Sequence, residues 1–478
     1  MAFDGYITND RRTQTKKYAT FSRRERIMKH QDKKGSNAQR LHKPTESSST
    51  PHDPEIVVPR RRHRFSRITT RIVSVCVIAA FLILWGCATW DTITHPDATP
   101  PSQTAKTSVQ RFAYTSSPLF LTNQALADKS GNINYSPTSM WVTLSMAEQG
   151  SAGTTKTEFQ STLNGNEKPN IDDYHSLMLS INGKRYCGAA SRYGKFTCES
   201  KMQTDNSIWI QKGHPLDKDF KKDMKHGFDA EMKTFSGDAS GQMSSWVDRK
   251  THGILKPDFA SDDAILTLLN TVYANGKWQD PFDADDTSDQ PFHGEKGDSK
   301  VSMMSQSGTM DMARGEGFRR LDKAFDDGSK LKIVLPDQKT AANDLAGKTD
   351  SLRAMFNAKS EPTEVDLSLP KFKIANTFGD SISILRKLGI RSAFNPSRAN
   401  FSKMTNKDPL YIGQIIQGTS IDVGETGVKA AAYTSETLST APNPGIDKSV
   451  SFIVDHPFLY EYDTPDGVPL FIGIVQNL

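Results

Sequence analysis

Apolar positions are sparse and follow no period from residue 1 to residue 71, so neither an amphipathic helix nor a strand is predicted there. The pattern changes abruptly at Ile72–Trp90, which carries no charged residue over about the length that crosses a hydrocarbon core. "DTITHPDATPPSQTAKTS", Asp91–Ser108, returns to Thr, Pro and Ser and reads as a stalk. From Val109 the chain becomes mixed. "VQRFAYTSSPLFLTNQALADK" and "SMWVTLSMAEQG" place apolar residues at helical spacing, the second ending at a glycine cap, and "SSWVDRKTHG" and "SISILRKLG" are shorter helical stretches. "DNSIWIQ", "AILTLLNTVYANGKW", "LKIVLP", "EVDLSLPKFKI", "LYIGQIIQ" and "VPLFIGIVQ" are β-branched runs bounded by Gly, Pro, Asn or Asp, the signature of strands. Helices and strands without strict alternation predict one α+β domain over residues 109–478.

Charge divides the chain in the same way. The net charge is +5, yet residues 1–71 hold 18 Lys+Arg against 7 Asp+Glu, which leaves 42 basic and 48 acidic residues for the rest. The basic character therefore belongs to the tail, and the globular part carries no expectation of nucleic-acid binding. The tail cannot bury enough surface to offset its ordering entropy and is expected to be disordered. Arginines crowd the N-terminal side of Ile72–Trp90 and Asp91 follows its other side. That asymmetry predicts a cytoplasmic tail, a single span at 72–90 and an external domain. A processed export signal is the alternative. "LWGC", Leu84–Cys87, resembles the lipobox of bacterial lipoproteins, although Trp85 is bulky for that motif, and would allow a lipid anchor at Cys87.

Of the four cysteines, Cys76 and Cys87 lie in the apolar segment. Cys187 and Cys198 lie in "RYCGAASRYGKFTCES", which reads as a short hairpin. Export would allow a local disulfide between them; two unpaired buried thiols are the other reading. The spacing fits no common zinc site, and no metal or cofactor is expected. GxSxG, GxxxxGK[ST] and a strand-linked GxGxxG do not occur, so no enzyme activity is expected. His252 and His456 read as capping or packing residues.

Several stretches, in order, resemble the serpins, a family of serine protease inhibitors. "NINYSPTSMWVTLSMAEQGSAGTTKTEF" is similar to the buried strand and following helix of that family, with Ser136 and Ser139 at its two shutter serines. "LLNTVYANGKWQDPF" is similar to the third strand of its main sheet, with Asn270 at the shutter asparagine and Trp278 at the breach tryptophan. "SSWVDRKTHGILKP", "VSMMSQSGTM", "DLSLPKFKI", "LRKLGIRSAFNPSRANFSKM", "FIVDHPFLYEY" and "LFIGIVQNL" follow the family order to Leu478. The resemblance implies the serpin fold, three β-sheets with surrounding helices and an exposed reactive-centre loop. It also implies a monomer that traps a serine protease as a covalent acyl complex. Gln417 stands where many members have a histidine.

On this resemblance "GETGVKAAAYTSETLSTAPNP", Gly424–Pro444, is the reactive-centre loop, with Glu425, Gly427, Val428, Ala430, Ala431 and Ala432 in its hinge. Cleavage would let the loop enter the main sheet as a new strand. Strand side chains alternate with period two, so Val428, Ala430, Ala432 and Thr434 would point inward and are small or β-branched. Lys429 and Tyr433 fall outward, and Glu436 is an inward charge near the far end. The family usually has Glu where Thr426 stands, and Thr or Ser where Val428 stands. Counting forward from the hinge puts the acyl residue at Ala441, and counting back from Pro457 puts it near Ile446. An Ala441–Pro442 amide is a poor protease substrate, so Thr440–Ala441 is taken as the reactive bond, with Ala441–Pro442 and Leu438–Ser439 behind it. The small or aliphatic residues at 437–441 suit elastase-like or subtilisin-like proteases.

Overall fold

The computed structural model describes residues 96–191, 194–257, 259, 265–378, 381–406, 410–413, 415–428 and 449–478. The expected tail, the apolar segment 72–90 with Cys76 and Cys87, and the loop from Lys429 to Lys448 lie outside the described residues.

The described chain opens with α1 (Gln103–Leu121), β1 (Ile133–Tyr135), α2 (Pro137–Gln149), α3 (Gly153–Asn164) and α4 (Ile171–Asn182). A hairpin of β2 (Tyr186–Ser191) and β3 (Gly194–Thr197) leads into β4 (Lys201–Gln211), α5 (Lys218–Phe228), β5 (Glu231–Phe235), α6 (Ser240–Lys250) and β6 (Leu266–Lys277). Four antiparallel strands come next: β7 (Thr287–Gly294), β8 (Gly297–Gly315), β9 (Phe318–Ala324) and β10 (Lys330–Pro336). Then come α7 (Ala342–Ala346), α8 (Thr349–Asn357), β11 (Glu361–Pro370), β12 (Phe372–Phe378) and α9 (Ile382–Leu388). The chain closes with β13 (Gln417–Gly424), β14 (Gly427–Val428), β15 (Val450–Ile453), β16 (Phe458–Asp463) and β17 (Pro469–Val475).

These strands form three sheets. The largest has nine strands in the order β1-β17-β16-β10-β9-β8-β11-β15, with β7 also on β8. Long β8 makes it continuous, pairing with β7 and β11 along most of its length and with β9 at its end. The second has six strands, β12-β13-β14-β6-β4-β5, and the third is the β2–β3 hairpin. The α+β class expected from the pattern is the class observed.

Helix α2 is almost wholly buried, with Pro137 in its first turn and Ser136 as its cap. It packs against β6 and β17 while α1 lies beside it, and aromatic contacts link Trp141 to Tyr174 and Tyr174 to Phe228 (ring centroids 5.4 and 4.7 Å). A separate apolar cluster of Trp209, Phe235, Met243, Trp246, Leu255 and Leu269 seats α6 on the six-stranded sheet. The chain leaving α6 reaches across to β13, where Leu255 lies against Gly418.

Three local differences from the sequence reading have physical causes. Helix α1 begins at Gln103, inside the stretch read as stalk, because the Ser102 hydroxyl caps it (3.1 Å to the Ala105 N–H) and Ala105, Ser108 and Val109 are buried. "EVDLSLPKFKI" is two strands in two sheets: β11 ends at Pro370, which can donate no ladder bond onward, and β12 begins at Phe372. The described residues of "LYIGQIIQ" before Gln417 are irregular; Leu410, Ile412 and Ile415 are buried by packing rather than by a ladder, while Tyr411 is exposed.

Candidate functional site

The six-stranded sheet has a seam. Among the described residues, no ladder joins β13 directly to β6; the two meet through the two residues of β14. Val428 is opposite Val423 on one side and Gly276 on the other, and Gly427 is opposite Gly424 and Lys277. Gly427 has φ +152°, and a Cβ there would lie 1.9 Å from the Gly276 carbonyl oxygen, so only glycine fits between the strands. Below Val428 the seam continues as a cavity of about 230 Å³. Val272 and Ala274 of β6, Ile421 of β13, and His252 and Leu255 of the segment after α6 line it. His252 has φ +53° and its ring packs on Tyr273 (4.8 Å).

Aromatic packing and main-chain bonds build the mouth of the seam. Trp278, fully buried, stacks on Phe325 at 4.3 Å and donates its indole N–H to the Gly424 carbonyl (2.9 Å). Its backbone N–H reaches the Thr426 carbonyl (3.0 Å), and the Phe282 N–H reaches the Glu425 carbonyl (3.0 Å). Lys323 is buried beneath, 4.3 Å from the Phe282 ring centroid and 5.3 Å from that of Trp278. It donates to the Asp280 carbonyl and to Gln306 Oε1, and burial pulls its ammonium down to about 8. Glu425 meets Lys371 Nζ at 2.9 Å. Burial raises the Glu425 carboxyl, but the hydrogen bond and charge of Lys371 outweigh this and hold it below the usual range.

Deeper in the sheet the start of α2 holds both flanking strands. Ser139 Oγ donates to Asn270 Oδ1 of β6. Asn270 Nδ2 donates to Thr204 Oγ1 (2.8 Å) and Asn206 Oδ1 (2.6 Å) of β4. Ser136 Oγ donates to the Leu470 carbonyl (2.6 Å), while its backbone is gripped by Gln417 of β13. Gln417 Oε1 accepts from the Ser136 N–H (3.2 Å), and its Nε2 donates to the Ser136 carbonyl (2.8 Å). Ser136, Ser139, Asn270 and Gln417 are all buried. One helix start thus ties β6 and β13 together with side-chain bonds where the ladder between them is missing.

The structure brings Ser136, Ser139 and Asn270 into one cluster, and Trp278, Glu425, Gly427 and Val428 into another. Ala430, Ala431, Ala432, Thr440 and Ala441 lie outside the described residues. Cys187 and Cys198 are joined by a disulfide. His456 bonds Asp455 and the Pro336 carbonyl, in keeping with packing. Sequence reasoning treated Gln417 only as an absent histidine, and missed Lys323, Thr204 and Asn206. Asn206 faces Asn270 across the β4–β6 ladder, so pairing those two strands would have found it.

Compared with known proteins, residues 114–478 match the family "Serpin (serine protease inhibitor)". An uncharacterized serpin-like protein of Thermococcus kodakarensis is 29% identical over 373 residues, 74% of this chain and 82% of its own. The structure of Serpin48 from the insect Tenebrio molitor superposes with a TM-score of 0.67 at 24% identity, covering 79% of this chain and 99% of that one. Human thyroxine-binding globulin in complex with its hormone superposes with a TM-score of 0.64 at 23% identity, covering 78% and 98%.

Proposed function

Since the chain belongs to the serpin family, we propose that it is a suicide inhibitor of a serine protease, with Gly424–Pro444 as bait. The protease serine attacks the Thr440 carbonyl carbon, the bond to Ala441 breaks, the new amine leaves with a proton, and Thr440 remains as an acyl ester. The freed loop then enters between β6 and β13 and carries the ester-bound protease with it. The observation that carries this reading is β14. The first two residues after the turn already pair with both strands, and the seam below them is unladdered and hollow. New ladder bonds along that seam supply the driving force, so the uncut form is kinetically trapped. No step requires catalysis by this chain.

The small or aliphatic residues at 437–441 favour elastase-like or subtilisin-like targets. We further propose a bacterial, monomeric protein whose domain stands outside the cell on the 72–90 span, or on a lipidated Cys87. Among the described residues no helix is long and apolar enough to cross a membrane, so this anchor rests on the sequence alone.

Incubation with an elastase-type protease tests the function. A complex that survives boiling in detergent is expected, and Val428→Arg, which drives a charge into the seam above the cavity, should yield cleaved protein instead. A second reading keeps the fold without insertion, as a binding protein. It draws on Val428 standing where serpins usually have Thr or Ser, and on the hormone-binding relative of the same fold. Clean cleavage of the wild type, with no complex and no gain in melting temperature, would favour it.

A further inference from the structure

The β2–β3 hairpin sits beside the mouth of the seam, and its disulfide joins Cys187, which touches the Asp326 carbonyl, to Cys198, which precedes Glu199 and Ser200. Cys187 and Cys198 are bonded across 11 positions. The ladder between β2 and β3 has three pairs, Tyr186 with Thr197, Cys187 with Phe196 and Ser191 with Gly194, with a register shift in between. A two-stranded ribbon with so little pairing is marginal by itself. The covalent bond is therefore the main restraint on where Cys198 lies, aided by its N–H bond to the Arg185 carbonyl (3.0 Å).

The two residues after Cys198 grip the seam. The N–H groups of Glu199 and Ser200 donate to the two carboxylate oxygens of Asp326 (2.8 and 3.1 Å). Ser200 Oγ accepts from the Lys277 N–H (2.9 Å), and Glu199 Oε1 meets Lys277 Nζ (2.7 Å). Asp326 returns its own N–H to the Lys277 carbonyl (2.9 Å), and its carbonyl touches the Cys187 sulfur (2.7 Å). Lys277 is the last residue of β6 and pairs with Gly427. A line of contacts thus runs from the disulfide through Ser200 and Asp326 to the residue that receives the loop. Cys187 is half-buried while Cys198 is 5% exposed, so a reagent reaches Cys187 first.

We propose that Cys187–Cys198 is a thiol–disulfide exchange site whose redox state sets how firmly the end of β6 is held at the seam. A thiolate of a dithiol reductant attacks the Cys187 sulfur, the S–S bond breaks, and Cys198 leaves as a thiolate that takes up a proton. The second thiol of the reductant then displaces the Cys187 thiol and closes to a cyclic disulfide, so two electrons pass to the protein. With the cross-link open, Ser200 and Glu199 lose their fixed position and Lys277 is released toward the seam. The consequence for Lys277 stands on these contacts; the consequence for inhibition rests on the loop-insertion reading.

The test uses the full-length protein in detergent, untreated or reduced with dithiothreitol, with alkylation and peptide mass spectrometry reading Cys187 and Cys198. Both thiols should be blocked untreated and alkylated after reduction of the folded protein. Amide hydrogen exchange at Ser200 and Lys277 should speed up on the order of tenfold on reduction. Conversion to a loop-inserted form, followed by melting temperature, should quicken at least about threefold. Cys187→Ser with Cys198→Ser should match the reduced protein. Ser200→Ala should speed conversion while oxidised and respond little to reductant. Free thiols in the untreated protein, or reduction only after unfolding, would overturn the exchange site. Unchanged exchange at Lys277 would overturn the coupling, and a Ser200→Ala protein that still responds fully to reductant would overturn its route. Faster exchange without faster conversion, in a protein that does trap protease, would overturn the regulatory role. Faster exchange in a protein that traps no protease would leave the coupling standing and count against loop insertion.

Discussion

The two large sheets use similar residues but are closed differently. In the nine-stranded sheet β16 and β17 are buried at every position, and the order from β1 to β8 runs without a break. In the six-stranded sheet β13 and β6 meet across only two residues, and side chains from the start of α2 do the holding that a ladder does elsewhere. Among the described residues, the gap inside the six-stranded sheet lies between β13 and β6, which are joined only through the two residues of β14. On the loop-insertion reading, that gap is where a new strand would pair.

The sharpest way to break this contrast is Gly427→Val. Its Cβ would meet the Gly276 carbonyl, and a backbone atom in a sheet cannot step aside. Protease-cut Gly427→Val should lack the rise in melting temperature expected of cut wild type, and its yield of trapped protease should fall at least about tenfold. A normal rise would mean that the seam does not receive the loop at Gly427.

Lys332→Met probes the frame instead. Lys332 on β10 bonds Glu461 (2.9 Å) and Asp463 (2.6 Å) on β16, all three largely buried. Burial and the neighbouring Asp463 push the Glu461 carboxyl up, and the charge and hydrogen bond of Lys332 oppose this. Removing the cation should cost about 3–5 kcal/mol, measured by denaturant unfolding. Intact and cut proteins should lose the same amount; a loss confined to the intact form would show that the nine-stranded sheet also changes.

Asn270→Ala strips partners from Ser139 Oγ, Thr204 Oγ1 and Asn206 Oδ1 in a buried place. A cost of about 1–3 kcal/mol is expected, with faster conversion to the inserted form on storage, followed by native electrophoresis. Equal loss without faster conversion would make the cluster a plain part of the core.

The smallest effect belongs to Glu425 and Lys371. The folded carboxyl titrates below its unfolded value, so its contribution is present above that value and is lost as pH falls through the folded one. The pair is partly exposed and worth under about 1 kcal/mol. Trp278 fluorescence should shift slightly on acidification below about pH 4.3, the ordinary glutamate value. Lys371→Met should move that shift to higher pH.

Much of the site was legible through the resemblance to the serpins, which pointed to Ser136, Ser139, Asn270 and Trp278. Ser136 precedes a proline that opens a buried helix, and Asn270 interrupts an apolar strand, a place where a polar side chain must find partners. Gln417 was harder to read. Its two bonds reach Ser136 across 281 positions, and nothing local marks an amide as the clamp of a distant backbone. Lys323 sits in a short strand with several charged residues and no apolar alternation, and the packing of Trp278 and Phe282 over its ammonium is visible only in the fold.

The amino-acid sequence by itself determined the basic tail, the apolar segment, the α+β class and the existence of the strongly patterned elements α2, β4, β6, β10 and β17, because periodicity, prolines and charge act over a few residues. Tertiary structure decided which neighbours bury the start of α1 and which sheets receive β11 and β12, although Ser102 and Pro370 mark those breaks locally. It also decided that β6 and β13 share an unladdered seam with Gly427 and Val428 at its mouth. The seam depends on β14 pairing with β6, about 150 positions earlier in the chain, and the parting of β11 and β12 on ladders that span about 40 to 85 positions in sequence. Which backbone groups meet is then settled by packing around α2 and α6, and no local pattern carries that information.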